Sequence, residues 1–147
     1  MSDTLTTAVE PDANLGYLFR LAHQRFRATL DDVLHDLGIS AQQYVILSVF
    51  ETRPELSTSE LARITQVTRQ TMHAAVLELE TAGLIERRAQ NQRVVLVGPT
   101  RRGRKTLAAG TDRVRVVEQD ALAGLDRTEE RVVRTWLANV AAPEHDA

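Results

Sequence analysis

The sequence predicts a mainly α-helical chain with one small β-hairpin. Three observations carry this. Apolar residues recur at three- and four-residue steps in several separate segments. That period gives way once to strand-like sequence, between residues 84 and 97. Capping residues, glycines and prolines punctuate the segments at their ends. At 147 residues, 43% of them hydrophobic, the chain suits one compact domain, or a small domain with a helical extension.

The first helix is expected over residues 12–37, where Leu15, Leu18, Phe19, Ala22, Phe26, Leu30, Val33, Leu34 and Leu37 recur at helical spacing. Asp12 or Asn14 caps its start and Gly38 ends it. Ser40 caps a second helix bearing Tyr44, Leu47, Val49 and Phe50, which stops before Pro54 because the residue preceding proline leaves helical geometry. A short third helix, 59–64, follows a cap at Ser57, Thr58 or Ser59. After a break at Thr65 and Gln66, Thr68 caps a fourth helix running to about Ala82. Met72, Ala75, Val76 and Leu79 form its buried stripe, and Gly83 follows it in a position that favours the left-handed backbone.

Residues 84–88 read as a first strand, 89–92 as a polar turn, and the valine-rich 93–97 as a second strand ended by Gly98 and Pro99. A fifth helix is expected over 100–117. A sixth is expected over 128–140, capped by Asp126 or Thr128. The tail from Pro143 reads as disordered.

Two short helices across a tight break, then a β-hairpin, make a winged helix-turn-helix. The second helix of such a pair enters the major groove and the first braces it across the backbone. The chain's formal charge is −2, yet its distribution fits DNA. Between Arg63 and Lys105 nine basic residues face three acids, a local +6, while the remainder is −8. A basic segment within an acidic chain is an electrostatic footprint for phosphate.

Candidate base-reading residues are Thr68, Arg69, Gln70 and His73, placed opposite Met72 and Leu79. Arginine pairs with guanine and glutamine with adenine through two hydrogen bonds. Thr68 and Thr71, with the free amides of the helix start, suit a phosphate. Arg93 on the hairpin suits the minor groove, with Gln90, Asn91 and Gln92 as lesser contacts. Arg87 and Arg88 suit phosphates.

Three stretches carry a family resemblance. Leu56-Ser57-Thr58-Ser59-Glu60-Leu61-Ala62, Val67-Thr68-Arg69-Gln70-Thr71-Met72, and the run from Leu79 through Gly83-Leu84-Ile85-Glu86-Arg87 resemble the MarR family of bacterial regulators. Arg93-Val94-Val95-Leu96-Val97, leading to Thr100-Arg101-Arg102-Gly103, is similar to that family's second wing strand and next helix. The resemblance covers about residues 12–140. It implies a homodimer in which the first, fifth and sixth helices intertwine, and a repressor released by a small, often aromatic, effector. The family's wing often carries Asp-Arg-Arg, where this chain has Asn91-Gln92-Arg93, so the wing contact carries over to Arg93 alone.

The reading is therefore one chain, 1–147, with a winged helix-turn-helix region at 40–100 and dimerisation helices at 12–37 and 101–141. The apolar residues Leu107, Val114, Val117, Leu122 and Leu125, then Val132, Val133, Trp136, Leu137 and Val140, independently call for a partner or for the chain's own first helix. The expected partner is double-stranded DNA with a near-palindromic operator, since a two-fold dimer sets its recognition helices about 34 Å apart. An architectural DNA binder without a ligand and a winged-helix protein-interaction module are the alternatives.

Other chemistry is not expected. There is no cysteine, hence no thiolate site. The polar, acidic start 1–10 carries no secretory pattern, no stretch reaches membrane-spanning length, and a cytoplasmic protein without a cofactor is expected. The stretch from Gly98 to Thr106 imitates a phosphate-binding loop, but Arg104 separates Gly103 from Lys105, Pro99 lacks an N–H, and no parallel sheet surrounds it. His23, His35, His73 and His145 lack metal-ligand spacing, and no nucleophile elbow is present, so an enzyme is not expected. His23, Arg27, Tyr44 and Trp136 are the polar and aromatic residues best suited to line an effector pocket, though each also reads as ordinary core or surface.

Overall fold

A computed structural model describes residues 9–143. Residues 1–8 and 144–147 lie outside it, and with them most of the polar start, His145 and most of the tail. The elements are α1 (Leu15–Leu34), a single 3₁₀ turn (His35–Leu37), α2 (Ala41–Val49), α3 (Thr58–Thr65), α4 (Arg69–Thr81), β1 (Ile85–Ala89), β2 (Val95–Pro99), α5 (Arg101–Ala121) and α6 (Arg127–Ala141).

Side-chain caps set most helix starts. Asn14, Ser40, Ser57, Thr68, Thr100 and Asp126 each accept an amide hydrogen bond from the first turn they precede. Ser40 with Gln43, Ser57 with Glu60 and Asp126 with Glu129 complete reciprocal capping boxes. Asp126 thus takes the cap, and α6 starts at Arg127, one residue before the expected Thr128. The first helix ends earlier than the expected 37. Its last residues tighten into the 3₁₀ turn, and Gly38 closes it at φ +77°, donating its N–H to the His35 carbonyl. The fifth helix runs four residues past the expected Val117, because nothing in 118–121 breaks it.

The core lies where α1, α2, α3, α4 and the hairpin meet α5. Leu34, Ile46, Leu47, Leu56, Leu61, Met72, Val76, Leu79, Ile85 and Val97 are essentially sealed from solvent. Gly103 allows α5 to close on the hairpin, because a Cβ there would collide with the Leu84 carbonyl oxygen. Arg113 on α5 clamps the end of α1, donating to the Val33 carbonyl at 2.8 Å and pairing with Asp36. That pairing holds the Asp36 carboxyl below the usual carboxylate range.

The hairpin is antiparallel, with register from Ile85 opposite Pro99 to Ala89 opposite Val95. The second strand is displaced by two residues from the expected 93–97, and the first by one from 84–88. Leu56 is the reason for the frame. It exchanges two backbone hydrogen bonds with Val97, at 3.1 and 2.7 Å, as a third rung across the sheet. Val97, Gly98 and Pro99 are thereby buried, and Gly98 and Pro99 belong to the strand they were expected to end. An antiparallel strand also leaves no parallel β-α-β setting for the phosphate-loop imitation.

Candidate nucleic-acid interface

The α4 helix is aimed by its junction with α3. Gln66 adopts a left-handed backbone, φ 57°, and donates its amide to the Ala62 and Arg63 carbonyls. Val67 donates to the Ala62 carbonyl at 3.1 Å. The Thr68 hydroxyl then accepts the Thr71 amide at 3.1 Å and donates to the Thr71 hydroxyl at 2.9 Å. Thr68, Arg69, Gln70, Thr71 and His73 are all exposed, while Met72, Ala75, Val76 and Leu79 are buried as expected.

The exposed residues do not share one direction. With about 100° per residue, Gln70, Ala74 and Leu77 point within roughly 30° of the direction opposite the buried stripe. His73 flanks them. Arg69 is turned toward α3, where it lines an open cleft of about 370 Å³ with Ser59, Glu60, Ala62, Arg63 and Val67. Of the residues expected on the face opposite Met72 and Leu79, Gln70 is central and Arg69 lies to one side, because Arg69 and Met72 are only three residues apart. Glu60 brings a negative charge to this cleft. The Ser57 amide and hydroxyl, then Arg53, hold its carboxyl below the ordinary range.

The wing tip is the loop 90–94, closed by a hydrogen bond from the Gln90 amide to the Val94 carbonyl at 3.0 Å. Asn91 Oδ1 accepts the Arg93 and Val94 amides at 2.8 and 2.9 Å. This Asx turn keeps residues 93 and 94 in the loop and leaves the Arg93 side chain exposed.

Arg87 and Arg88, expected along phosphates, are both ion-paired within the protein. Arg88 donates to Glu86 Oε1 at 3.1 and 2.8 Å, to Glu55 Oε1 at 2.9 Å and to the Pro99 carbonyl at 3.1 Å. Glu86 and then Glu55 raise its pKa further. Arg87 Nε lies 2.7 Å from Glu80 Oε2, joining β1 to the end of α4. Both guanidiniums brace the wing's base. Among the described residues, Arg63, Arg69, Arg93, Arg101, Arg102 and Lys105 have no carboxylate partner.

Sequence reasoning missed Arg63, which shares the cleft with Arg69, and the outward Ala74 and Leu77. The signal for Leu77 was its position, outside the buried stripe of its own helix.

The four residues considered for an effector pocket line neither of the two open clefts. His23 and Arg27 are exposed. The Tyr44 hydroxyl lies 3.3 Å from Thr111 Oγ1 at the packing of α2 on α5. Trp136 stacks on Phe19, with centroids 5.4 Å apart. A second open cleft of about 410 Å³ is lined by Asp31, His35, Gly38, Ile39, Ser40 and Gln43 instead. Among the described residues no group of three His, Cys, Asp or Glu could hold a metal ion, and no helix is long and apolar enough to cross a membrane.

A model of the MarR family matches residues 37–93. The HTH-type transcriptional repressor Rv2887 of Mycobacterium tuberculosis is 31% identical over 133 residues, which span 89% of this chain and 96% of that protein. A crystal structure of Rv2887, a MarR family protein, in complex with DNA superposes with a TM-score of 0.72 at 30% identity, covering 89% of this chain and 100% of the other. The Rv2887 complex with salicylic acid superposes with a TM-score of 0.70 at 30% identity, covering 90% and 100%.

Proposed function

The chain belongs to the MarR family, and from that premise we propose that it is a homodimeric DNA-binding repressor released from a near-palindromic operator by a small aromatic effector. The observation that carries the reading is the start of α4, where a tightly capped first turn presents Arg69, Gln70 and Thr71 to solvent, with His73 just after it. In the major groove, Arg69 reads guanine and Gln70 reads adenine, while Thr68, Thr71 and the helix-start amides hold a phosphate. Arg93 enters the adjacent minor groove. Arg87 and Arg88 act one step back, by fixing the hairpin that carries Arg93.

Residues 40–100 form the DNA-binding region, and 12–37 with 101–141 the dimerisation helices. No residue of α6 is buried, and Val132, Trp136, Leu137 and Val140 lie 43–63% exposed along it. Such an apolar helix face calls for a second protomer. An aromatic acid is the effector class that the salicylate-bound relative suggests. It acts by binding the DNA-competent and incompetent states with different affinity. The proposed site of action is the cytoplasm, and the assigned residues have no catalytic role.

Fluorescence anisotropy on a duplex selected from a random library tests the reading. Arg69→Ala should lower the preference for the selected duplex over scrambled DNA about ten- to hundredfold. Arg93→Ala should flatten the slope of log K against log salt by about 0.9 for each phosphate-bound cation lost. Arg88→Ala should lower Tm and leave that slope unchanged. Equal affinity for selected and scrambled DNA would make the protein architectural. Absence of binding to either at low salt would leave a protein-interaction module.

A further inference from the structure

We infer that Leu77, with Ala74 beside it, reads thymine methyl groups on the floor of the major groove, so that the operator half-site is specified by apolar contact as well as by hydrogen bonding. The inference rests on the repressor reading above. Its structural basis is the outward stripe of α4. Leu77 is 51% exposed, one of the large apolar side chains that the fold leaves at the surface. A single exposed leucine is ordinary on a protein surface. This one stands two helical turns from Gln70 on the same face, in the direction opposite Met72, Ala75, Val76 and Leu79.

Two features fit the groove. Seven residues separate Gln70 from Leu77, about 10 Å along the helix axis, which falls within the roughly 12 Å width of the major groove. Ala74 lies between them with a single methyl, so the helix can approach base edges closely at its midpoint. The apolar group in the major-groove pattern is the thymine 5-methyl. A leucine lodged there removes its own apolar surface and that methyl from water together. Gln70 meanwhile suits adenine, so the stripe as a whole selects an A·T-rich stretch within each half-site.

The test uses the full-length protein and the selected duplex, with each thymine replaced in turn by 2′-deoxyuridine. That change deletes one methyl and leaves base pairing intact. Wild type should bind about fourfold more weakly at one or two thymines per half-site. Leu77→Ala should bind the parent duplex more weakly and lose that sensitivity at the same positions. Its melting curve should match wild type, because the side chain is exposed. Wild-type binding that ignores every thymine-to-uracil change overturns the inference and leaves the repressor standing. So does a Leu77→Ala variant that keeps the same uracil sensitivity. Failure of wild type to select any duplex overturns the repressor reading itself.

Discussion

At the hairpin tip, the Asn91 side chain accepts the amides of Arg93 and Val94 and so holds the loop that presents the Arg93 guanidinium. Removing it should loosen the tip without touching the core. In Asn91→Ala, amide exchange at Arg93 and Val94 should accelerate about fivefold, consistent with roughly 1 kcal/mol per lost hydrogen bond. DNA affinity should fall toward that of Arg93→Ala. Asn91→Asp retains the acceptor oxygen and should retain the protection, while its added charge weakens DNA binding most at low salt. Hydrogen exchange followed by NMR checks this, and unchanged protection in Asn91→Ala would sink it. Arg88 and Arg93 illustrate what sequence conveys at this scale. Both are arginines of the hairpin, with equal title to a phosphate. Arg88 is withdrawn by Glu86 on its own strand and by Glu55, a residue 33 positions away, and no local pattern announces the second pair.

Among the elements, the helices were more legible than the strands. A cap lies within three residues of the amide it satisfies, so Ser40 and Thr68 mark their helices from sequence alone, while for α6 the structure chooses Asp126 over Thr128. The frame of β2 depends instead on Leu56, some 40 residues earlier, and on which end of a valine-rich run it pairs with. Contact between elements also gives Gly103 its meaning. Sequence places it in the first turn of α5. The structure places it against the Leu84 carbonyl, which receives the Thr100 amide at 3.0 Å. Gly103→Ala should force α5 away from the hairpin and cost about 1–3 kcal/mol or more by overpacking, despite alanine's better helix propensity. Thermal melting measures the loss, and a Tm equal to wild type would contradict the close approach.

For the whole molecule, the exposed apolar line on α6 carries the expectation of a dimer. Two glutamates on that line, Val132→Glu with Val140→Glu, should yield a monomer by light scattering at micromolar concentration. Affinity for a duplex with both half-sites should then fall about hundredfold or more, since the second half-site no longer benefits from tethering. Affinity for a single half-site should change little. A monomeric wild type would overturn the dimer, and with it the palindrome.

Sequence alone determined the helical character of the chain, the buried stripe of α4, the caps of α2 and α4 and the family likeness. Each rests on residues within a few turns of one another, where backbone geometry makes spacing equivalent to direction. Tertiary structure decided which arginines stay free and where β2 begins. Ion pairs, strand register and solvent exposure are set by segments far apart in the chain, and only folding brings Glu55 to Arg88, Leu56 to Val97 and Leu84 to Gly103.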